Sequence, residues 1–106
     1  MLLNQKKLSL KKSVILPKPV GSNVIEIDDY AFQGCYLHQF ELNDGLEYIG
    51  EGAFVKCSSL TSITIPKSVN RIANFTFAGC SNLTSVTIPE SVTHIGDYAF
   101  YGCTNL

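Results

Sequence analysis

One stretch carries the pattern of the whole chain. It reads Leu60-x-x-Ile63-x-Ile65-Pro66-x-x-Val69-x-x-Ile72-x-x-x-x-Phe77-x-x-Cys80, and residues 83–103 repeat it with the same spacing. Its leucine, phenylalanine and cysteine columns therefore recur every 23 residues. A fixed period of this length indicates a repeat architecture, because a unit this short buries its apolar face only against neighbouring units.

Earlier parts of the chain repeat the pattern less regularly. One unit is a residue shorter and has Asn43 where the others have proline, and the first copy has an insertion near residues 18–21. The chain stops at Leu106, the position at which another unit would begin. We expect either an excerpt of a longer array or self-association through an uncapped last repeat. The predicted units are 13–36, 37–59, 60–82 and 83–105, after an N-terminal arm or partial cap at 1–12.

The secondary structure that the sequence predicts changes along each unit. Ile63 and Ile65 have the period of a strand with one buried face, and Pro66 ends that strand because it lacks an amide hydrogen. Residues 69–72 predict a second short strand, and residues 74–79 predict one helical turn. An Asp, Glu or Asn opens that turn in every copy, and three of the four can cap exposed N–H groups: Asp29, Glu51, Asn74 and Asp97.

The best-preserved copy resembles a known family. Residues 88–106 read Ile-Pro-Glu-Ser-Val-Thr-His-Ile-Gly-Asp-Tyr-Ala-Phe-Tyr-Gly-Cys-Thr-Asn-Leu, which is similar to leucine-rich repeats of the BspA-like type. The resemblance covers residues 14–106 and departs from the pattern at the insertion, at Asn43 and at residues 73–76. With the period, it predicts a right-handed leucine-rich-repeat solenoid of about four repeats. Each repeat would have a short parallel strand and a short helical or 3-10 turn.

The same resemblance implies a function. Proteins of this family are mostly surface or secreted proteins of bacteria and parasitic protists, and they are associated with adhesion to host or matrix proteins. The resemblance therefore implies a protein partner and a cell-surface or secreted location. The chain itself begins without the apolar stretch of a secretory signal, so either that route is not used or the natural start is missing.

Composition excludes several other classes. Hydrophobic residues make up 45% of the chain and charged residues 16%, which is typical of a folded domain. The net charge of −1 lacks the basic excess typical of nucleic-acid binders, and no apolar run is long enough to span a membrane. We expect neither a nucleic-acid partner nor a membrane span.

Two columns are predicted to stack inside the array. The four cysteines lie at the same position of successive repeats and include no Cys-x-x-Cys pair. The pattern therefore favours buried free thiols over zinc binding. Disulfides between adjacent repeats remain the alternative. The predicted internal columns are Phe32, Phe54, Phe77 and Phe100, and Cys35, Cys57, Cys80 and Cys103.

Nothing in the pattern indicates an enzyme, a metal or a cofactor. His38 and His94 lie at different positions of the repeat. Stacking of the repeats therefore gives no reason to expect a catalytic group of residues around either histidine. The acidic residues that open the turns could be described as a calcium ladder, but capping is favoured because no glycine-rich calcium loop is present. Glycosylation at the sequons beginning at Asn74 and Asn82 is left open.

Two exposed surfaces are candidates for partner binding. The first is the outward face of the strands, and the second is an aromatic ridge on the turns, which either contacts a partner or shields neighbouring turns. We predict a protein-binding module of an adhesin-like protein, with a structural spacer as the alternative. The candidate residues are Gln39, Glu41, Ser62, Thr64, Ser85 and Thr87 on the strands, and Tyr30, Phe75, Tyr98 and Tyr101 on the ridge.

Overall fold

The computed structural model describes residues 7–8 and 25–106. These residues form short β-strands and turns, and none of them is helical. No helix that could cross a membrane occurs in them either. The strands are β1 (Lys7–Leu8), β2 (Glu26–Ile27), β3 (Gln39–Phe40), β4 (Tyr48–Ile49), β5 (Ser62–Thr64), β6 (Arg71–Ile72), β7 (Ser85–Thr87) and β8 (His94–Ile95).

Every strand pair is parallel and joins one repeat to the next. The first strands of the repeats form a sheet in the order β3-β5-β7, in which Ile63 lies opposite Val86. The second strands form two further sheets, β1-β2-β4 and β6-β8. The second strand predicted at residues 69–72 is thus present as β6. It is short because only Arg71 and Ile72 pair.

Backbone hydrogen bonds also join the turn segments, which follow the second strand of each repeat. In the segment 28–35, Ala31 and Gln33 donate to carbonyls three residues earlier. Tyr30 and Phe32 instead donate to carbonyls of the next repeat, at 2.9 and 2.8 Å. The donors to the next repeat are Tyr30, Phe32, Gly34, Gly52, Phe54, Lys56, Phe75, Phe77 and Gly79.

The helical or 3-10 turn predicted for each repeat is therefore wrong for the described residues. A helix needs its successive N–H groups to bond within the segment, whereas here alternate N–H groups point to the neighbouring repeat. Left-handed backbone at Tyr30 (φ 57°) and Gly34 (φ 71°) interrupts any helical run. The outcome is a chain of β-turns that forms a third ladder along the array.

One ladder is interrupted in the middle of the array, between β4 and β6. Gly50 lies so close to the preceding repeat that an added Cβ would be 2.6 Å from the backbone nitrogen of Asp29. Gly96 is equally close to Asn74, at 2.5 Å. The corresponding residue of the third repeat is Ala73, which carries a methyl group at this position. The interruption between β4 and β6 coincides with this alanine, while the other two ladders continue past it.

The core is a column of aromatic rings flanked by aliphatic side chains. Phe54 stacks on Phe32 and on Phe77 with ring centroids 5.4 Å apart in each case, and Phe77 stacks on Phe100 at 5.5 Å. Phe40 packs edge-on against Phe54 at 4.8 Å. Since three of the stacked rings have no exposed surface, each adds about 1.5–3 kcal/mol of hydrophobic burial.

Parts of the predicted organisation lie outside the described residues. These are the start of the first repeat at 13–24, with its insertion near 18–21, and most of the N-terminal arm. Within that arm, Lys7 and Leu8 pair in parallel with Glu26 and Ile27. The boundaries of the four units stay predictions.

Candidate binding surfaces

The outward face of the β3-β5-β7 sheet is lined by rows of short polar side chains. Ser62 lies directly opposite Ser85, and Thr64 lies opposite Thr87. Three of these side chains are exposed, and Ser62 is half-buried. The backbone of Gln39 pairs with Ser62, which continues the first row, although the side chain of Gln39 is not among those described. The described side chains of the Ser62 and Thr64 rows are therefore short and polar.

A shallow groove runs along this face where β3 and β5 end. Its volume is about 650 Å³, and Glu41, Ser62 and Thr64 are among the residues that line it. A second depression of about 610 Å³ adjoins it and is lined by Thr64 and Thr87. Sequence analysis missed two charged residues at the rim, Asp44 and Lys67, because strand alternation was followed only as far as the proline.

Hydroxyl groups near the strand ends join neighbouring repeats along this face. The Thr84 hydroxyl donates to the carbonyl of Thr61 at 3.0 Å, and the Thr61 hydroxyl donates to the carbonyl of His38 at 3.2 Å. At the other end of the strand, the Ser91 hydroxyl donates to the carbonyl of Val69 at 2.9 Å. These residues bind neighbouring repeats, which leaves the Ser62 and Thr64 rows for outside contacts.

The predicted aromatic ridge is divided into two parts. Phe75 stacks on Tyr98 with centroids 5.4 Å apart, and Tyr101 stands at 82° to Tyr98 at 5.7 Å. Tyr30 does not join them. Its ring covers Gly52, where an added Cβ would lie 2.3 Å from a ring carbon.

The ridge residues have an unusual backbone. Tyr30, Phe75 and Tyr98 have φ of 57°, 61° and 58°, and Gly52 has 62° at the same position of its repeat. Left-handed backbone costs an aromatic residue about 1–2 kcal/mol relative to its preferred conformations. Glycine adopts it without that cost. Sequence analysis did not anticipate this conformation, although Gly52 in the same column was a signal for it.

Two of the four residues that open the turns, Asp29 and Asn74, bond to the next repeat rather than to their own turn. One carboxylate oxygen of Asp29 accepts the N–H of Glu51 at 2.8 Å, and the amide oxygen of Asn74 accepts the N–H of Asp97 at the same distance. The predicted helix-capping role is therefore wrong, because there is no helix to cap. Within the described ranges no three His, Cys, Asp or Glu residues come close enough to hold a metal ion.

The cysteine column consists of free thiols that bond to the backbone. The Cys57 thiol donates to the carbonyl of Phe32 at 3.0 Å, and Cys103 donates to Phe77 at 3.1 Å. Burial raises the pKa of Cys57 from 9.0 to about 12, and burial does the same for Cys80. A thiol with so high a pKa is a poor nucleophile at neutral pH.

The two sequons are engaged in the fold. The amide nitrogen of Asn82 donates to the carbonyl of Ser58 at 2.8 Å, so a glycan on that nitrogen would have to fit beside this bond. In the other sequon Thr76 is fully buried, and its hydroxyl donates to the carbonyl of Ala73. Asn74 itself is exposed.

The second-strand side of the array holds a depression that sequence analysis did not single out. Its volume is about 470 Å³, and Arg71 and His94 line it from adjacent strands. His94 is exposed, and its ring nitrogen Nδ1 lies 3.0 Å from the Thr93 hydroxyl. The 23-residue interval between Arg71 and His94 was the signal in the sequence from which this pairing could have been predicted.

Short parallel strands, joined repeat to repeat around a phenylalanine column, define a leucine-rich repeat protein. The chain belongs to the family described as BspA type leucine rich repeat region, whose model of six copies matches residues 6–106. The resemblance drawn from residues 88–106 is thereby confirmed. Repeats of this kind are modules of the protein-interaction type and are typically not enzymes.

A solved structure agrees with this assignment. The crystal structure of the T. pallidum leucine-rich repeat protein, TpLRR, superimposes with a TM-score of 0.62 and 26% sequence identity. The match covers 81% of this chain and 51% of that one, so the chain spans about half the length of TpLRR. A search of curated proteins found no match to the chain.

Proposed function

We propose that this chain is a protein-binding module that contacts its partner through the outward face of the β3-β5-β7 sheet. The observation that carries the proposal is the register of that sheet, which sets Ser62 beside Ser85 and Thr64 beside Thr87. Equal side chains on adjacent strands form continuous rows, in which neighbouring residues are about 4.8 Å apart. Such rows offer a partner a regular set of hydroxyl donors and acceptors.

The proposed architecture is a right-handed solenoid. Parallel pairing at intervals of 22–23 residues from β2 onward supports it, because each repeat then crosses over once before rejoining the same sheet. Crossovers between parallel strands of one sheet are right-handed in about 98% of cases. In a solenoid the sheet face extends with each added repeat.

Binding on this face is expected to be weak for each repeat. Hot spots of interfaces are usually rich in tyrosine, tryptophan and arginine, and the described part of this face has none of them in its rows. Affinity would come from several repeats engaging one partner, since linked contacts gain from effective concentration. The rim charges of Asp44 and Lys67 would orient the partner.

The finer proposal is an adhesin-like role at the cell surface. It is supported by membership of the BspA-type family, because proteins of that family are associated with adhesion. Antibodies against the chain should label intact cells of the organism that carries the gene. Labelling only after permeabilisation would contradict a surface location.

The binding proposal is tested with purified matrix proteins. The chain is titrated against immobilised fibronectin, laminin and collagen, together with the double variant Ser62→Arg and Ser85→Arg. We expect saturable binding of the wild type to one of them, and a loss of at least tenfold in the variant with an unchanged circular dichroism spectrum.

A matched control lies on the other sheet. The variant His94→Arg places two arginines side by side on β6 and β8, because Arg71 already lies opposite. It should bind like the wild type. Equal loss in both variants would point to a general charge effect and contradict the proposal, and no binding by the wild type would favour a spacer.

A further inference from the structure

One corner in the interior of the array is joined differently from the same corner at the neighbouring junctions. It lies where the second strand of a repeat runs into its turn, at residues 47–50 of the second repeat and 70–73 of the third. Described residues of the first and fourth repeats lie on either side of it. Within the described ranges, no strand pairing and no hydrogen bond connects the two segments of this corner.

A buried backbone N–H group has lost its partner there. The N–H of Gly50 donates to the carbonyl of Ile27 at 2.9 Å. The N–H of Gly96 donates to the carbonyl of Ile72 at 2.7 Å. The equivalent N–H of Ala73 has no partner among the residues that the structure describes, although Ala73 is only 4% exposed. A buried N–H without a partner favours any movement that brings it to water.

The side-chain bonds next to this corner differ in the same way. The carboxylate of Asp29 accepts the N–H of Glu51 at 2.8 Å. The amide oxygen of Asn74 accepts the N–H of Asp97 at 2.8 Å. Glu51 holds the equivalent position but has one more methylene group, and its carboxylate accepts the hydroxyl of Tyr30 at 3.3 Å instead. The N–H of Asn74 is therefore left without a bond in the described part of the chain.

A contact between rings and turns is missing at the same junction. The ring of Tyr30 lies over Gly52 across the preceding junction. Phe75 stacks on Tyr98 at 5.4 Å across the following one. Gly52 has no side chain to place against Phe75. Strand pairing, side-chain bonding and ring packing are thus all lost at one corner.

The two repeats stay joined around this corner. Phe77 stacks on Phe54 with ring centroids 5.4 Å apart. Bonds between the repeats resume on both sides of the corner, from the Ser68 hydroxyl to the carbonyl of Leu46 and from the N–H of Gly52 to the next turn. Movement of the corner therefore leaves the core and both flanks in place.

We propose that this corner is a conformational device that opens locally, so that β6 moves away from β4 while the phenylalanine column stays packed. Opening breaks no described hydrogen bond between the two segments, and it hydrates the N–H groups of Ala73 and Asn74. Segments with few bonds to break are the ones that open locally in folded proteins. β8 moves with β6, because the two strands are paired. The movement is independent of binding on the outward face of the first strands.

The test is amide hydrogen exchange of the whole chain, followed by NMR and corrected for the intrinsic rate of each residue. We expect Ala73 to exchange about tenfold faster than Gly50, which holds the same position in the preceding repeat. The rate at Ala73 should not depend on urea below the unfolding transition, because a local opening exposes little surface. Equal protection of the two amides would overturn the proposal, since the buried N–H of Ala73 reaches water only when the corner opens.

Two variants of one residue test the cause. Glu51→Asp gives the corner the shorter side chain that Asp29 has, so its carboxylate should accept the N–H of Asn74 and slow exchange at Ala73 about threefold. Glu51→Gln keeps the length and removes the charge, and it should leave the exchange rate at Ala73 unchanged. Equal slowing in both variants would point to charge instead of a new bond and would overturn the proposal, as would unchanged exchange in Glu51→Asp.

Discussion

The thiol of Cys80 donates a hydrogen bond of 3.1 Å to the backbone carbonyl of Phe54 in the preceding repeat. The same carbonyl accepts the backbone N–H of Cys57, also at 3.1 Å. One oxygen thus closes the turn of its own repeat and fastens the next repeat to it. The cysteine column therefore contributes directed bonds between repeats as well as filling space.

Stability should fall as the pH rises above 9. The thiols of Cys57 and Cys80 have a pKa of about 12 in the folded chain and 9.0 as their ordinary value. Between these values the unfolded chain loses protons that the folded chain retains, so alkali favours unfolding. Each buried thiol should cost about 1 kcal/mol of unfolding free energy between pH 9 and pH 10.

Urea denaturation at pH 8, 9 and 10, with a reductant present, measures this dependence. Burial raises the pKa of Tyr48 as well, so the comparison with Cys57→Ala isolates the thiol. The variant should lose less stability between pH 9 and 10 than the wild type. Identical slopes would contradict the assignment of the effect to Cys57.

Replacing Phe77 with alanine should destabilise the chain by about 3–5 kcal/mol. The ring has no exposed surface and stacks on Phe54 and Phe100, so its removal leaves a cavity in the middle of the column. Thr64→Ala on the exposed sheet face is the control and should change stability by less than about 0.5 kcal/mol. Thermal melting of both variants checks the difference, and a Phe77→Ala melting point close to wild type would contradict the packing.

Small residues at the end of the second strand should control the sheet beside them. Gly50→Ala is expected to cost about 1–3 kcal/mol, because the new methyl group would lie 2.6 Å from the backbone nitrogen of Asp29. Urea denaturation measures the cost. A neutral result would show that close approach of the backbone does not matter there.

The reverse change, Ala73→Gly, should let β6 pair with β4. The new hydrogen bond is worth about 0.5–1.5 kcal/mol, and the added backbone freedom of glycine removes about 0.5–1 kcal/mol. The net change in stability should therefore be small. Hydrogen exchange gives the sharper measurement: the amide of residue 73 should exchange more slowly than in the wild type.

The isolated chain of 106 residues should self-associate through its last repeat. Ile95 is 54% exposed, and β7 and β8 each pair with one strand in the described structure. Open strand edges with apolar side chains favour pairing with another chain. Sedimentation should show a species that grows with concentration, and Ile95→Lys should suppress it. A concentration-independent monomer would refute this expectation.

The 23-residue phase predicted the parts of the fold that depend on repetition. Phe77 and Cys80 recur at the same position of neighbouring repeats. Residues at the same position of the repeat come into contact when parallel repeats stack. The strand at Ser62–Thr64 followed from alternation and from Pro66, both of which are local signals. These features needed no knowledge of the contacts between repeats.

The turns could not be predicted in the same way. Whether the N–H of Tyr30 bonds within its turn or to the next repeat depends on how repeats are placed, which a local pattern does not contain. Local preference argues against left-handed backbone at Tyr98, since aromatic side chains seldom adopt it. The rim residues Asp44 and Lys67 lie beyond the strands and enter the surface only because the chain turns there.

The interruption at Ala73 has a consequence for the evolution of such chains. Three separate ladders of hydrogen bonds connect neighbouring repeats, and two of them hold the second and third repeats together where the third is interrupted. A gene segment that encodes one repeat can therefore be duplicated, deleted or altered without first perfecting every junction. The array can change in length by whole units, and its exposed rows can diversify while the inner columns are copied unchanged.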